Sequence, residues 1–251
     1  MSNRVTASLA IIGNEILSGR TQDKNIAYIA TELNRVGIQL AEVRVVPDIE
    51  KEIVDCVNAL RTKYDYLFTT GGIGPTHDDI TSASVAKAFG VKIIRHPEAE
   101  KILRAHYTAD QINEARLKMA DVPDGSELIP NVVSSAPGFK IGNVFVMAGV
   151  PKIMQAMLGA AIPHLKGGAT VHSVSITTNL PEGTIASGLT EIQSRYTDLD
   201  IGSYPYYKQG NIATTLVFRG IDPARAEAAS KETEALVLAL NGKLIPAPEA
   251  A

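Results

Sequence analysis

The sequence predicts an α/β protein, a mostly parallel sheet with crossover helices, followed by a second, small α+β domain. Three observations carry this. Runs of β-branched and small apolar residues alternate with stretches whose apolar residues recur at helical spacing, the pattern of strand-helix-strand units. Glycines close the helical stretches at Gly37 and Gly90, and Pro151 opens one, as helix termini prefer. Pro163, Gly167 and Gly168 then mark a boundary, beyond which the order becomes β-α-β-β-α. The expected domains are 1–165 and 166–251.

Taken in order, Val5 to Ile12 reads as a strand, followed by a polar loop and a helix carried by Ile26, Ala27, Ile29, Ala30 and Leu33. Ile38 to Val46 reads as a strand, Asp48 as the N-cap of a helix to about Lys63, and Tyr66 to Thr70 as a buried strand. Gly71 to Thr76 is a glycine-rich loop at that strand's carboxyl end, Asp78 to Phe89 a helix, and Val91 to Ile94 a further strand. Helices are expected at Pro97 to Tyr107 and Asp110 to Ala120, a core strand at Val144 to Met147, and a helix from Pro151 to about Ile162. The remainder reads as strand Val171 to Thr178, helix Glu182 to Tyr196, strands Asp200 to Tyr204 and Ile212 to Phe218, and helix Pro223 to Leu240. That is the order of a split β-α-β unit. The tail from Pro246 is expected to be mobile.

Composition narrows the function. The 251 residues are 45% hydrophobic and 20% charged, enough for a sizeable core. Lys and Arg number 24 against 27 Asp and Glu, so no global positive field invites nucleic acid. The single cysteine, Cys56, lies in an apolar-periodic run, which excludes an intrachain disulfide and a cysteine metal cluster. With no signal-peptide pattern and no apolar stretch of about 20 residues, neither secretion nor a membrane is expected, and the cytoplasm is the expected location.

Chemistry concentrates in Thr70-Gly71-Gly72-Ile73-Gly74-Pro75-Thr76-His77-Asp78-Asp79-Ile80-Thr81. Glycines let backbone amides approach a phosphate closely, and Asp78 or Asp79 is suited to a divalent cation bridging its oxygens. Alone, such a run reads more simply as a tight turn with a capping Asp, and it is the neighbouring loops that favour a site. It is neither a P-loop, lacking Gly-Lys-Ser/Thr, nor a dinucleotide fingerprint, since His77 takes the third glycine's place. His77 is a candidate phosphate contact or a surface residue. If the sheet is parallel, two more loops reach the same edge: Gly13-Asn14-Glu15-Ile16-Leu17-Ser18-Gly19 with Asp23 and Asn25, and Pro47-Asp48.

These segments, with Ala136-Pro137-Gly138-Phe139 and Gly149-Val150-Pro151, resemble the MoaB/Mog molybdopterin-binding fold. The closest resemblance is to the amino-terminal domain of CinA (competence/damage-inducible) proteins and the related domain of FAD synthases, over about residues 5 to 160. The resemblance implies a three-layer α/β domain. It assigns the phosphate and the pterin or nucleotide to Gly13, Asn14, Ser18, Gly19, Asn25, Thr70, Gly71, Gly72, Gly74, Pro75, Thr76, Pro137, Gly138, Gly149 and Pro151. Asp79, Asp48 and Glu15 would be catalytic, with Asp78, Asp79 and Glu15 around magnesium, manganese or cobalt. The implied function is metal-dependent hydrolysis of nucleoside-diphosphate-linked compounds of the ADP-ribose or FAD class. The alternatives are binding or adenylylating molybdopterin in molybdenum cofactor biosynthesis, and non-catalytic nucleotide binding. Relatives of this kind assemble as dimers or trimers, so a homo-oligomer is expected. Ile201-Gly202-Ser203-Tyr204-Pro205 resembles the same subgroup. Ala148 departs from the proline many members carry before Gly-Val-Pro, and the amidase domain of full CinA proteins has no counterpart here.

Other constellations point less far. His96, Glu100 and His106 lack zinc-protease spacing, and no Gly-x-Ser-x-Gly elbow occurs. Tyr204, Tyr206 and Tyr207 with Lys208 suit base stacking or, more simply, a hairpin end.

Overall fold

The computed structural model describes residues 4–208 and 211–247. The tail from residue 248 and the side chain of Lys208 lie outside the described residues. Two compact units divide the chain between Ala169 and Thr170.

The first unit opens with β1 (Val5–Ile12), α1 (Asn14–Leu17), α2 (Asn25–Arg35), β2 (Ile38–Val46), α3 (Glu50–Lys63), β3 (Tyr66–Thr70) and α4 (Thr81–Phe89). It continues with β4 (Ile93–Arg95), α5 (Pro97–His106), α6 (Glu114–Leu117), β5 (Asp121–Pro123), β6 (Glu127–Ile129), β7 (Gly138–Ile141), β8 (Val144–Met147) and α7 (Pro151–Ala161). Its main sheet runs β2-β1-β3-β8-β7-β6, with the first four strands parallel and the last two antiparallel. β4 and β5 form a separate antiparallel ribbon.

The sheet is covered on both faces, which is why β1 is apolar at almost every position. Ala7, Leu9 and Ile11 pack with Ile29 and Leu33 of α2 and Met154, Met157 and Leu158 of α7. Ala10 and Ile12 pack on the other face with Ile53, Val57 and Leu60 of α3 and Val85 of α4. Phe68 and Phe145 stack at 5.1 Å between ring centroids. Fully burying each such side chain contributes roughly 1.5–3 kcal/mol, so the parallel strands make a rigid base for the loops at their ends.

Three expectations are corrected. Asp48 does not cap α3, whose N-cap is Ile49 without a side-chain bond; the Asp48 carboxylate instead accepts from the Asn14 amide at 2.9 Å. Asp78 and Asp79 precede the helix, which starts only at Thr81, because the Asp79 carboxylate turns back to accept from the Thr76 amide at 2.8 Å. The stretch Asp110 to Ala120 is not one helix: Thr108 to Asn113 is a turn, and the Asn113 side chain caps α6 by accepting from the Arg116 amide at 2.9 Å.

The second unit is β9 (His172–Thr178), α8 (Glu182–Arg195), β10 (Asp200–Lys208), β11 (Asn211–Gly220) and α9 (Pro223–Ala239). β11 pairs antiparallel with both neighbours in the order β10-β11-β9. The parallel pair β9 and β10 is therefore split by a third strand. Its core comprises Ile185, Ile192, Leu216, Phe218, Ala226 and Ala229. Among the described residues no helix is long and apolar enough to cross a membrane.

Candidate functional site

Parallel strands send their carboxyl ends to one side, and open α/β sheets bind ligands there. β1, β2, β3 and β8 end at Ile12, Val46, Thr70 and Met147. Backbone contacts tie their loops together. The Gly13 amide donates to the Val46 carbonyl at 3.2 Å, and the Gly71 amide to the Met147 carbonyl at 3.1 Å. Gly71 has φ 102°, and a Cβ there would sit 2.1 Å from the Ile12 carbonyl oxygen. A Cβ on Gly149 would lie 3.3 Å from Gly71 Cα. Glycine is required at 71 both for its backbone conformation and for this close approach.

The glycine turn is closed at its far end by Thr81, whose amide donates to the Gly72 carbonyl at 2.9 Å and whose hydroxyl donates to the Gly71 carbonyl at 3.0 Å. The amides of Gly72, Ile73 and Gly74 engage no backbone carbonyl among the described residues. The phosphate cradle expected from Gly71 to Gly74 therefore narrows to these three, since the Gly71 amide is occupied. Asp79 holds the turn's outer limb through the Thr76 amide and, at 2.5 Å, the Thr76 hydroxyl.

Beside the turn lies a cleft of about 70 Å³, bounded by Glu15, Asp23, Asn25, Thr70, Gly71, Gly149 and Pro151 together with Ile11, Ile12 and Ile16. Asn25 is 4% exposed. Its Nδ2 donates to the Gly149 carbonyl at 2.9 Å, which fixes the amide's orientation and leaves Oδ1 buried with no partner. Thr70, 1% exposed, has an equally unpartnered hydroxyl. Buried polar atoms are rarely left so; of the four among the described residues, these two lie on cleft-lining residues, whereas Thr69 and His96, which carry the others, line neither cavity. Asp23 caps α2 by accepting from the Asn25 and Ile26 amides at 3.0 and 2.8 Å. The Glu15 carboxylate occupies the space a Gly13 side chain would fill, with Oε1 and Oε2 each 2.5 Å from that Cβ position.

On the other side of the turn a second cavity, of about 110 Å³, is lined by Ile73, Gly74, Asp79, Ser82, Ala83, Ile93, Lys118 and Asp121. Sequence reasoning missed Thr21, Gln22 and Lys24 in the cleft and everything but the glycine-loop residues here. Lys118 lies 42 positions beyond Thr76, whose carbonyl it contacts at 2.6 Å, and no sequence pattern links them.

Not every expected site residue converges. Pro137 and Gly138 line neither cavity; Gly138 is buried under β8, where a Cβ would meet the Val146 carbonyl at 2.4 Å. Gly19 takes a left-handed turn conformation, φ 72°, and the Ser18 hydroxyl donates back to the Glu15 carbonyl at 3.3 Å. The His77 side chain is 97% exposed. Asp78, Asp79 and Glu15 do not form a metal cage: among the described residues no three His, Cys, Asp or Glu side chains stand together as a metal-binding group. Asp79 spends Oδ2 on Thr76, with Oδ1 in no hydrogen bond among the described residues, and Glu15 folds over Gly13. A divalent ion fits this donor set only where phosphate oxygens and water supply most of its shell, as magnesium accepts.

The fold and this loop cluster define a molybdopterin-binding-like α/β domain. Residues 8–167 match the family described as "Probable molybdopterin binding domain", to which the chain belongs. Residues 170–244 match the "FAD synthase, middle domain". A protein of Archaeoglobus fulgidus is 34% identical over 226 residues, spanning 90% of this chain and 95% of its own length. A CinA-like protein of Desulfosudis oleivorans is 35% identical over 192 residues, 71% of this chain but only 46% of that protein. The crystal structure of the protein CinA with unknown function from Thermoplasma acidophilum superposes with a TM-score of 0.59 at 35% identity, covering 63% of this chain and 98% of that one.

Proposed function

We propose that the chain hydrolyses nucleoside-diphosphate-linked compounds of the ADP-ribose or FAD class. The nucleoside end of the ligand sits in the cleft beside Thr70 and Gly71, and its diphosphate runs along the glycine turn, where the amides of Gly72, Ile73 and Gly74 have no backbone partner among the described residues. The observation that carries this reading is the pair of buried, unpartnered polar atoms, Asn25 Oδ1 and Thr70 Oγ1, on residues that line the cleft. Amides pre-aimed at phosphate oxygens stabilise the charge that builds as water attacks phosphorus. The attack exchanges a bridging P–O bond for a P–OH and releases AMP from an adenosine-bearing ligand. Of the carboxylates weighed for orienting the water, Asp48 is spent on the Asn14 amide, whereas Glu15 borders the cleft; Glu15 is the better candidate. A divalent ion, when bound, would neutralise phosphate charge, with Asp79 its protein ligand on the turn. The second unit's match to the middle domain of FAD synthase makes FAD one of the compounds to test.

The test is AMP release from ADP-ribose and FAD with magnesium, manganese or cobalt, beside Asp79→Asn. Asparagine keeps an acceptor for the Thr76 donors but removes the charge, so the variant is expected to stay folded and lose at least about tenfold in rate. A second reading, molybdopterin binding without hydrolysis, is favoured by the family description. Folded protein that releases no AMP with any metal yet binds molybdopterin would establish it instead.

A further inference from the structure

The cleft accounts for only one side of the glycine turn. Thr70 and Gly71 border the cleft, whereas Ile73 and Gly74 border the second cavity, so the turn is the wall between two cavities and the one beyond it is the larger. Ile73, Ala83 and Ile93 give that cavity apolar walls, and its three charged groups are not equivalent. Asp121 is neutralised by Arg95 at 2.6 Å. Asp79 is held in place by Thr76 and keeps its negative charge, which a divalent ion bound with the phosphate would offset. Lys118 donates to the Thr76 carbonyl at 2.6 Å and makes no ion pair among the described residues, although its charge adds to the Thr76 side chain in holding the nearby Asp78 carboxyl down. An ammonium has three donors, so two remain for an anion. The free amides of Gly72 to Gly74 lead from the cleft toward it.

We propose that the second cavity takes a second phosphate-bearing half of the ligand, with Lys118 as its cation, so that the bound molecule straddles the glycine turn. This rests on the reading of the cleft as a nucleotide site. It makes Lys118 the residue that separates diphosphate-bridged compounds from monophosphates: a mononucleotide fills the cleft alone, while a bridged one also reaches the ammonium.

The experiment is calorimetric titration, with magnesium, of AMP and of ADP-ribose carrying a non-hydrolysable methylene bridge. Lys118→Met is expected to weaken the bridged compound at least about tenfold while AMP changes less than about twofold, and Lys118→Arg to keep most of the wild-type preference, since losing a charge-assisted contact costs that much. Ala83→Phe, at an exposed position of α4, narrows the same cavity without touching Lys118 and should reproduce the selective loss; it decides the matter if Lys118→Met does not fold. Equal losses for both compounds, or none for either, would overturn the proposal and leave the cleft reading intact. Wild-type protein that binds neither compound overturns both.

Discussion

Thr70 and Gly71 stand next to each other and do opposite things. The Thr70 hydroxyl has no protein partner, so Thr70→Val removes an unsatisfied polar group and replaces it with a methyl of the same shape. Stability should hold or rise by up to about 1 kcal/mol, while nucleotide or pterin affinity falls by about tenfold; urea unfolding and calorimetry read the two separately. Lost stability with unchanged affinity would show that the hydroxyl serves the fold rather than a ligand. Gly71→Ala should do the reverse. It places a Cβ 2.1 Å from the Ile12 carbonyl oxygen at φ 102°, a backbone strain and clash together costing about 2 kcal/mol or more, seen as a lower urea midpoint. Cys56 is the quiet residue of this set: burial pushes its thiol up to about 11, which suits a packing role.

Among the elements, β2 is the exposed edge of the sheet, and its Glu42 gathers the Lys63 ammonium at 2.7 Å, the Tyr64 hydroxyl at 2.6 Å and the Arg44 guanidinium at 2.7 Å. Lys63 first, then Tyr64 and Arg44, hold the Glu42 carboxyl down to about 2 from its ordinary 4.5. A carboxylate so depressed stabilises the fold above its unfolded value, and that contribution fades as pH falls from 4.5 toward about 2. Glu42→Gln should therefore flatten the fall of the urea midpoint across this window and leave the remainder of the pH profile parallel to wild type; an unchanged slope would mean the surface cluster is fully screened by solvent.

Elements whose own residues carry the signal were readable: β1 through its unbroken apolar run, α7 through Pro151, and the glycine turn through its composition. Those defined by a distant partner were not. β6 and β7 are three and four residues long and exist because β7 pairs with β8 and β6 in turn with β7. Asp48 looked like a cap because nothing in its neighbourhood shows that the Asn14 amide, 34 residues away, claims it. The candidate site divides the same way. Its loop residues were legible, while Lys118 and the cleft's Thr21 and Gln22 enter only through folding.

For the whole molecule, each unit has its own core, and 63% of this chain matches 98% of a solved chain from Thermoplasma acidophilum. Residues 1–169 expressed alone should then fold, give a dispersed amide spectrum and bind AMP within about threefold of the full chain. A collapsed spectrum would show that the second unit is needed for stability. Main-chain contacts position much of the cleft, Gly71 against Ile12, Gly149 against Gly71 and Gly13 to Val46, and three side chains, Asn25, Thr81 and Asp48, tie the same loops. Cleft side chains outside those bonds are freer to change. A lineage built on this scaffold is able to change what it recognises one rim residue at a time, with the glycine-turn amides kept in register, so ancestry and ligand preference need not track each other.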